Sequence, residues 1–164
     1  MHDLVLLRHG HALSTGEAGV DSDALRPLSE YGLAEAARTA QHLKAAGFRP
    51  GLIISSPLLR AAATADIAAA LFPEARRLTA PPLSDGDIAE VLQLLSGAGL
   101  RDGAGLLVVG HQPLLGILAG CLLGRRIFSL SPAGFVRLTT GGSGFAADPA
   151  GTLAEYYVPP GNAF

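Results

Sequence analysis

Short, continuously apolar runs alternate along this chain with longer segments of helical periodicity. The runs at residues 4–7, 52–54 and 106–109 contain no polar residue. Strands that are apolar on both faces are typical of parallel sheets that helices cover on each side. The alternation therefore predicts an α/β fold with three layers, α/β/α, around a mostly parallel central sheet. Further strands are predicted at 135–139 and 154–158, with a short edge strand at 76–79.

The first helix is predicted from the residues at its two ends. Ser29 is a suitable N-cap, and Gly47 is a suitable C-terminal residue because glycine readily adopts a left-handed conformation. Between them, apolar residues recur at helical spacing and predict one buried stripe. The stripe consists of Leu33, Ala36, Ala37, Ala40 and Leu43.

Three more helices are predicted at 58–71, 88–95 and 114–123. Ser56 and Pro57 resemble an N-cap followed by proline at the first helical position. The segment 84–87, Ser-Asp-Gly-Asp, resembles a capping box ahead of the next helix. Pro113 begins the last of them.

Length and composition limit the class of protein. A chain of 164 residues predicts one domain, 1–164. With 49% hydrophobic and 16% charged residues, it is not a disordered chain. The net charge of −2 provides no basic field for nucleic acid.

Apolar run length predicts neither a membrane span nor a signal peptide. The longest mostly apolar stretch, 113–123, is shorter than the roughly 20 residues that a spanning helix needs. The N-terminal run at 4–7 is shorter than the apolar region of a signal peptide. Cys121 is the single cysteine, so no intramolecular disulfide forms, and a small core residue is a better interpretation than a nucleophile. A cytoplasmic protein is expected.

Polar clusters follow each of the three strongest strands. The first strand leads into Arg8-His9-Gly10-His11, the second into Ser55-Ser56-Pro57 with Arg60 one turn later, and the third into Gly110-His111-Gln112-Pro113. In open α/β sheets, ligands bind just beyond the carboxyl ends of the strands. We therefore expect Arg8, His9, Arg60 and His111 to line one site.

Two guanidinium groups and two imidazoles suit a phosphoryl group. Arginine matches phosphate oxygens with a fixed fork of donors, and a neutral imidazole is a nucleophile. Each residue alone has an ordinary structural interpretation, especially arginine, since 11 of the 12 basic residues are arginine. Four such residues at one predicted edge favour a functional site.

These residues carry a family resemblance. The segment Leu6-Leu-Arg-His-Gly10 resembles the signature of the histidine phosphatase (phosphoglycerate mutase-like) superfamily. Ser-Ser-Pro-Leu-Leu-Arg60 and Gly-His111 match its second arginine and second histidine in order and context. The resemblance extends from residue 4 to about 123.

Within that superfamily the chain is most similar to the small SixA-type phosphohistidine phosphatases. It is short, contains Arg26-Pro-Leu-Ser29 soon after the first motif, and has no large inserted lid. The segment Leu83-Ser-Asp-Gly-Asp87 also resembles that branch, although it is one residue shorter.

The resemblance implies a role for each matched residue. His9 would attack phosphorus and become phosphohistidine, which water then hydrolyses. Arg8, Arg60 and His111 would hold the phosphoryl oxygens. Arg26 is a candidate for a further contact at the entrance, and a solvated loop arginine is the alternative.

Two carboxylates, Asp85 and Asp87, are candidates for the general acid. Asp85 has the spacing after Leu83 that mutase-like members show and is preferred over Asp87. Either carboxylate could instead cap a helix. Phosphohistidine-directed members can also lack the acid, because the leaving imidazole is readily protonated.

His11 stands where the family often has an acidic residue. With His9 it forms His-x-His, but two histidines without further ligands make a poor metal site, so a polar residue at the rim is preferred. No metal or organic cofactor is implied.

The predicted activity is a cofactor-independent phosphatase acting on protein phosphohistidine, because no segment is long enough to cover the site. The alternatives are a phosphatase for small phosphomonoesters and a non-catalytic phosphate-binding module. A mutase is disfavoured because lids shield its phosphoenzyme from water. The sequence does not indicate an oligomeric state.

Overall fold

A computed structural model of the chain describes residues 2–141, 145 and 150–161. Within them lie six strands: β1 (His2–Arg8), β2 (Pro50–Ser55), β3 (Arg76–Thr79), β4 (Gly105–Gly110), β5 (Phe135–Thr140) and β6 (Gly151–Tyr157). The helices are α1 (Thr15–Ala18), α2 (Glu30–Ala45), α3 (Leu59–Leu71), α4 (Pro82–Asp85), α5 (Ile88–Ser96) and α6 (Leu114–Leu123). A 3₁₀ turn covers Asp23–Leu25.

The strands form one sheet in the order β3-β2-β4-β1-β5-β6. The strands β3, β2, β4 and β1 are parallel to one another, whereas β5 is antiparallel to both of its neighbours, β1 and β6. The predicted α/β fold with a mostly parallel sheet is therefore confirmed, and all the predicted strands are present.

Two hydrophobic cores lie on opposite faces of the sheet, which explains why the central strands are apolar throughout. In β1, Leu4 and Leu6 pack on one face with α5 and α6. Val5 and Leu7 pack on the other face with α2 and α3. All four side chains are at most 1% exposed. Burying a side chain of this size stabilises a fold by about 1.5–3 kcal/mol.

Helix α2 has the predicted ends but a different buried stripe. Ser29 is its N-cap and accepts the amide hydrogen of Gly32. Leu33 was expected in the core, but it is 46% exposed, while Glu35 and Thr39 are fully buried. The N-terminal part of the helix therefore packs on polar backbone rather than on apolar side chains.

Two predicted helix caps are wrong, although α5 begins at residue 88 as predicted and α3 begins one residue later than predicted. Helix α3 begins at Leu59 and has Leu58 as its N-cap, so Ser56 does not cap it. The capping box of α5 is formed by Asp87 and Glu90, not by the segment 84–87. Pro113 does precede α6, as predicted, and its peptide bond to Gln112 is cis.

None of the helices that the structure describes has the length and apolar character that a membrane crossing requires.

Candidate active site

The carboxyl ends of three adjacent strands bring the predicted residues to one edge of the sheet. Strand β4 lies between β2 and β1, and its residue Gly110 is paired with Arg8, while Val109 is paired with Ser55. The residues that follow each strand, His9, Ser56 and His111, are therefore neighbours. The expected convergence of the three polar clusters is present.

His9 is buried and held in one orientation. Its Nδ1 lies 2.7 Å from the carbonyl oxygen of Gly10. A carbonyl only accepts hydrogen bonds, so Nδ1 carries the proton and Nε2 keeps its lone pair. The His9 amide donates to Gly110 at 3.0 Å, and its carbonyl accepts the amide hydrogen of Ala133 at 3.0 Å. His9 therefore presents a fixed nucleophilic nitrogen.

His111 is oriented by a hydroxyl that the sequence interpretation assigned to helix capping. Its Nε2 lies 2.7 Å from Ser56 Oγ, which also accepts the amide hydrogen of Leu58 at 3.2 Å. Ser56 therefore holds the His111 ring in one orientation through this contact. The rings of His9 and His111 are 5.2 Å apart, centroid to centroid.

The two predicted phosphate-binding arginines are each anchored through their terminal nitrogens. Arg8 Nη1 donates to the carbonyl of Leu130 at 2.8 Å. Arg60 Nη1 donates to the carbonyl of Asp23 at 2.9 Å, and Nη2 donates to the Asp23 carboxylate at 3.0 Å. The Nε atom of each arginine remains without a protein partner.

Unsatisfied buried nitrogens concentrate in this site. Among the residues that the structure describes, the buried side-chain polar atoms without a hydrogen-bond partner are Arg8 Nε, Arg60 Nε, His111 Nδ1 and Ser131 Oγ. Such atoms are rare in folded proteins because each costs about 1–3 kcal/mol. Three of the four are nitrogens of predicted site residues, and the two arginine Nε–H groups are donors of the kind that an oxyanion accepts from.

The electrostatics of the site also favour an anion. Burial, followed by the charge of Arg60, lowers the pKa of Arg8. Burial is likewise the main cause that lowers the pKa of His9 to about 3 and that of His111 to about 4, with nearby positive charge adding to both shifts. Both imidazoles are therefore neutral at neutral pH, which His9 needs in order to act as a nucleophile.

The loop that carries His9 is held in place by α3 and α2. Thr64 Oγ1 accepts the Gly10 amide hydrogen at 3.1 Å and donates to the carbonyl of Arg60 at 2.8 Å. A Cβ atom on Gly32 would lie 2.0 Å from the His11 carbonyl oxygen, so only glycine allows α2 to approach this loop. Thr64 thus couples the His9 loop to the helix of Arg60.

Arg26 lies in the loop beside Arg60 and is held by protein groups. Its Nε donates to the carbonyl of Leu13 at 2.8 Å, and its Nη1 donates to Asp23 Oδ1 at 3.0 Å. Asp23 therefore bridges Arg26 and Arg60. The sequence interpretation missed Asp23, although an acidic residue three positions before an arginine in a loop is a usable signal.

The two candidate acids have different surroundings. Asp87 is the N-cap of α5 and accepts the amide hydrogen of Glu90, so it has a structural role. Asp85 is exposed at the last position of α4. Its neighbours Ser84 and Gly86 line a cleft beside Arg60 and His111.

His11 forms its hydrogen bonds with protein groups. Its Nδ1 lies 2.7 Å from Ser29 Oγ, and its amide donates to Glu35 at 3.4 Å. In the part of the chain that the structure describes, no three His, Cys, Asp or Glu side chains gather as a metal site would require.

A cleft of about 440 Å³ opens next to the candidate site. Arg60 and His111 form its inner end, and Asp23 lies at its wall. Apolar side chains line much of the rest, including Leu83, Leu114 and Ile117. A substrate whose phosphoryl group reached the arginines would place its remaining atoms here.

Comparisons with known proteins identify the family of this chain. Residues 4–83 match the model of the histidine phosphatase superfamily, branch 1. An uncharacterized protein of Picosynechococcus sp. is 33% identical over 147 residues, which cover 85% of this chain and 86% of that protein.

Solved structures show the same fold. The protein histidine phosphatase SixA in complex with tungstate has a TM-score of 0.81 at 25% identity, covering 94% of this chain and 95% of its own. A mycobacterial glucosyl-3-phosphoglycerate phosphatase has a TM-score of 0.70 at 20% identity, covering 94% and 97% of the two chains, and this likeness concerns the fold alone.

Proposed function

The chain belongs to the histidine phosphatase superfamily and is a SixA-like phosphatase, and from this premise we propose that it hydrolyses protein phosphohistidine through a covalent intermediate on His9. The observation that carries the proposal is the set of three buried nitrogens without a protein partner, Arg8 Nε, Arg60 Nε and His111 Nδ1, on the residues around the imidazole of His9, whose Nε2 is free. Donors and nucleophile together match the needs of a transferring phosphoryl group.

The reaction has two steps. Nε2 of His9 forms a bond to phosphorus while the bond from phosphorus to the substrate's imidazole nitrogen breaks. A water oxygen then bonds to phosphorus, the bond from phosphorus to Nε2 breaks, and the water releases a proton. Arg8, Arg60 and His111 hold the phosphoryl oxygens in both steps, and these protein groups and water suffice for the chemistry. Arg26 would support the entrance, and Asp85 would protonate poor leaving groups.

The likeness to the protein histidine phosphatase SixA favours phosphohistidine as the substrate. The cleft beside Arg60 is open enough to admit a side chain presented by another protein, which supports the same choice. Small phosphomonoesters are the alternative, since a glucosyl-3-phosphoglycerate phosphatase shares the fold.

The covalent step is tested by trapping the phosphoenzyme. We expect a histidine-phosphorylated protein to transfer an acid-labile, alkali-stable phosphoryl label to the wild-type chain and none to His9→Ala. His11→Gln is the matched control, because it changes a histidine two residues away and should keep the label. Full hydrolysis by His9→Ala would exclude the proposed nucleophile, and binding of phosphate without hydrolysis by the wild type would favour a binding module.

A further inference from the structure

The cleft beside the candidate site has few hydrogen-bonding side chains available to a ligand. Gln112 donates from Nε2 to the carbonyl of Phe128 at 3.1 Å, and its Oε1 accepts the Gly116 amide hydrogen at 2.9 Å. Ser84 Oγ donates to the carbonyl of Pro81 at 2.9 Å. The remaining lining combines apolar side chains such as Leu83, Leu114 and Ile117 with the charged groups of Arg60 and Asp23.

Asp23 provides the carboxylate of this lining. Its side chain is 62% exposed and accepts from Arg60 Nη2, while the backbone carbonyl of Asp23 accepts from Nη1. The hydrogen bond from Arg26 is the main cause that lowers the pKa of Asp23, with Arg60 adding to it. The Asp23 carboxylate therefore places a negative charge in the lining of the cleft and offsets part of the positive charge of Arg60 and Arg26.

We propose that Asp23 is a specificity-determining residue that disfavours anionic leaving groups and favours neutral or cationic ones. This inference rests on the proposed phosphatase function of the same site. A like charge near the leaving group raises the energy of the bound state, whereas a protonated nitrogen on the leaving group gains attraction. Asp23 thus acts against phosphorylated carboxylic acids, although their phosphoryl groups would bind the arginines equally well.

Three aryl phosphates that differ chiefly in the charge of one ring substituent test the inference. They are 4-carboxyphenyl, phenyl and 4-(aminomethyl)phenyl phosphate. In Asp23→Asn the charge is gone, and the single amide oxygen accepts from only one of the two arginines that the carboxylate holds. We expect kcat/KM for the carboxyphenyl substrate, divided by that for phenyl phosphate, to rise about fivefold. The same ratio for the aminomethyl substrate should fall by a similar factor.

Asp66→Asn is the matched control. Asp66 is an exposed carboxylate on α3 paired with Arg77 at 3.3 Å, and it does not line the cleft. Its replacement should leave both ratios unchanged. A second variant, Ile117→Arg, adds a cation to the cleft and should also raise the carboxyphenyl ratio.

The outcomes separate this inference from the proposed function. An equal change of all three substrates in Asp23→Asn would mean that Asp23 only positions Arg60, and unchanged ratios would mean that its charge is not sensed; either overturns the inference while the phosphatase remains. Wild-type protein that turns over none of the three substrates and also takes no label from a histidine-phosphorylated protein would overturn the function. In that case the calorimetric affinities of the three phosphates test the same order, and equal affinities overturn the inference.

Discussion

Ser56 Oγ lies 2.7 Å from His111 Nε2 and simultaneously accepts the amide hydrogen of Leu58 at 3.2 Å. The hydroxyl therefore fixes the orientation of the His111 ring. The other ring nitrogen, Nδ1, is buried without a protein partner. Ser56 thus positions the imidazole that we propose to contact a phosphoryl oxygen.

Replacing this hydroxyl should weaken catalysis without weakening the fold to the same extent. We expect Ser56→Ala to lower kcat about tenfold, less than the roughly 10²–10³-fold loss from removing a transition-state donor such as His111 itself. Steady-state kinetics with an aryl phosphate would measure this loss. Ser55→Ala is the control, because Ser55 is also fully buried but its hydroxyl bonds the Ser56 carbonyl and Arg77. Equal effects of the two variants would contradict the positioning role.

Stability should fall on mild acidification because of the two site histidines. In the folded state the pKa of His9 is about 3 and that of His111 about 4, against about 6.5 in the unfolded chain. Between these values the unfolded chain binds more protons, so the free energy of unfolding decreases as pH falls below 6.5. From pH 7 to pH 5 we expect a loss of roughly 3–4 kcal/mol, nearly half of it from each histidine, measured by urea denaturation.

The double variant His9→Gln, His111→Gln identifies the source of that pH dependence. It removes both titrating groups, so its loss of stability between pH 7 and pH 5 should be clearly smaller than that of the wild type. A slope equal to the wild-type slope would assign the effect to other groups.

The sheet and the convergence at its edge could be predicted from sequence because they depend on local pattern. Uninterrupted apolar runs identify buried parallel strands, and the carboxyl ends of such strands meet at one edge. His9 and His111 each follow such a strand directly. Pairing of the strands was therefore enough to predict that His9 and His111 lie close together.

Other features depend on contacts that sequence does not display. Ser56 resembles a helix cap, but its hydroxyl contacts a residue 55 positions away. Asp23 reaches Arg60 because the loop after β1 folds back over α3. Leu33 follows the apolar periodicity of α2 yet is exposed, since this end of the helix packs on the polar backbone around His11 and Ala133.

An oxyanion should stabilise the protein by satisfying the unpartnered donors. Tungstate at 100 times its dissociation constant would raise the free energy of unfolding by about 2.7 kcal/mol if it binds only the folded state. At the same tungstate concentration we expect Arg8→Met to retain less than half of that gain. Thermal or urea unfolding with and without tungstate measures it. The exposed Arg38 supplies the control variant, Arg38→Met, which should keep the full gain.

The role of Asp85 is tested by comparing how much kcat/KM falls in Asp85→Asn for substrates with different leaving groups. An alkoxide needs a proton in the transition state, and general acid catalysis contributes about 10²–10⁴-fold. An aryl oxide of low pKa, or an imidazole that arrives protonated, does not need this proton. If Asp85 supplies it, Asp85→Asn should lower kcat/KM for an alkyl phosphate at least about 10²-fold and change nitrophenyl phosphate and phosphohistidine little.

The fold should tolerate this substitution, because Asp85 is exposed at the end of α4 and the cap of α5 is Asp87. Asp87→Ala provides the opposite pattern: it should cost about 1 kcal/mol of stability through the lost cap and leave the ratios among the three substrates unchanged. Equal losses on all three substrates in Asp85→Asn would instead indicate that Asp85 positions the phosphoryl group. No loss on any of the three would exclude Asp85 as the general acid.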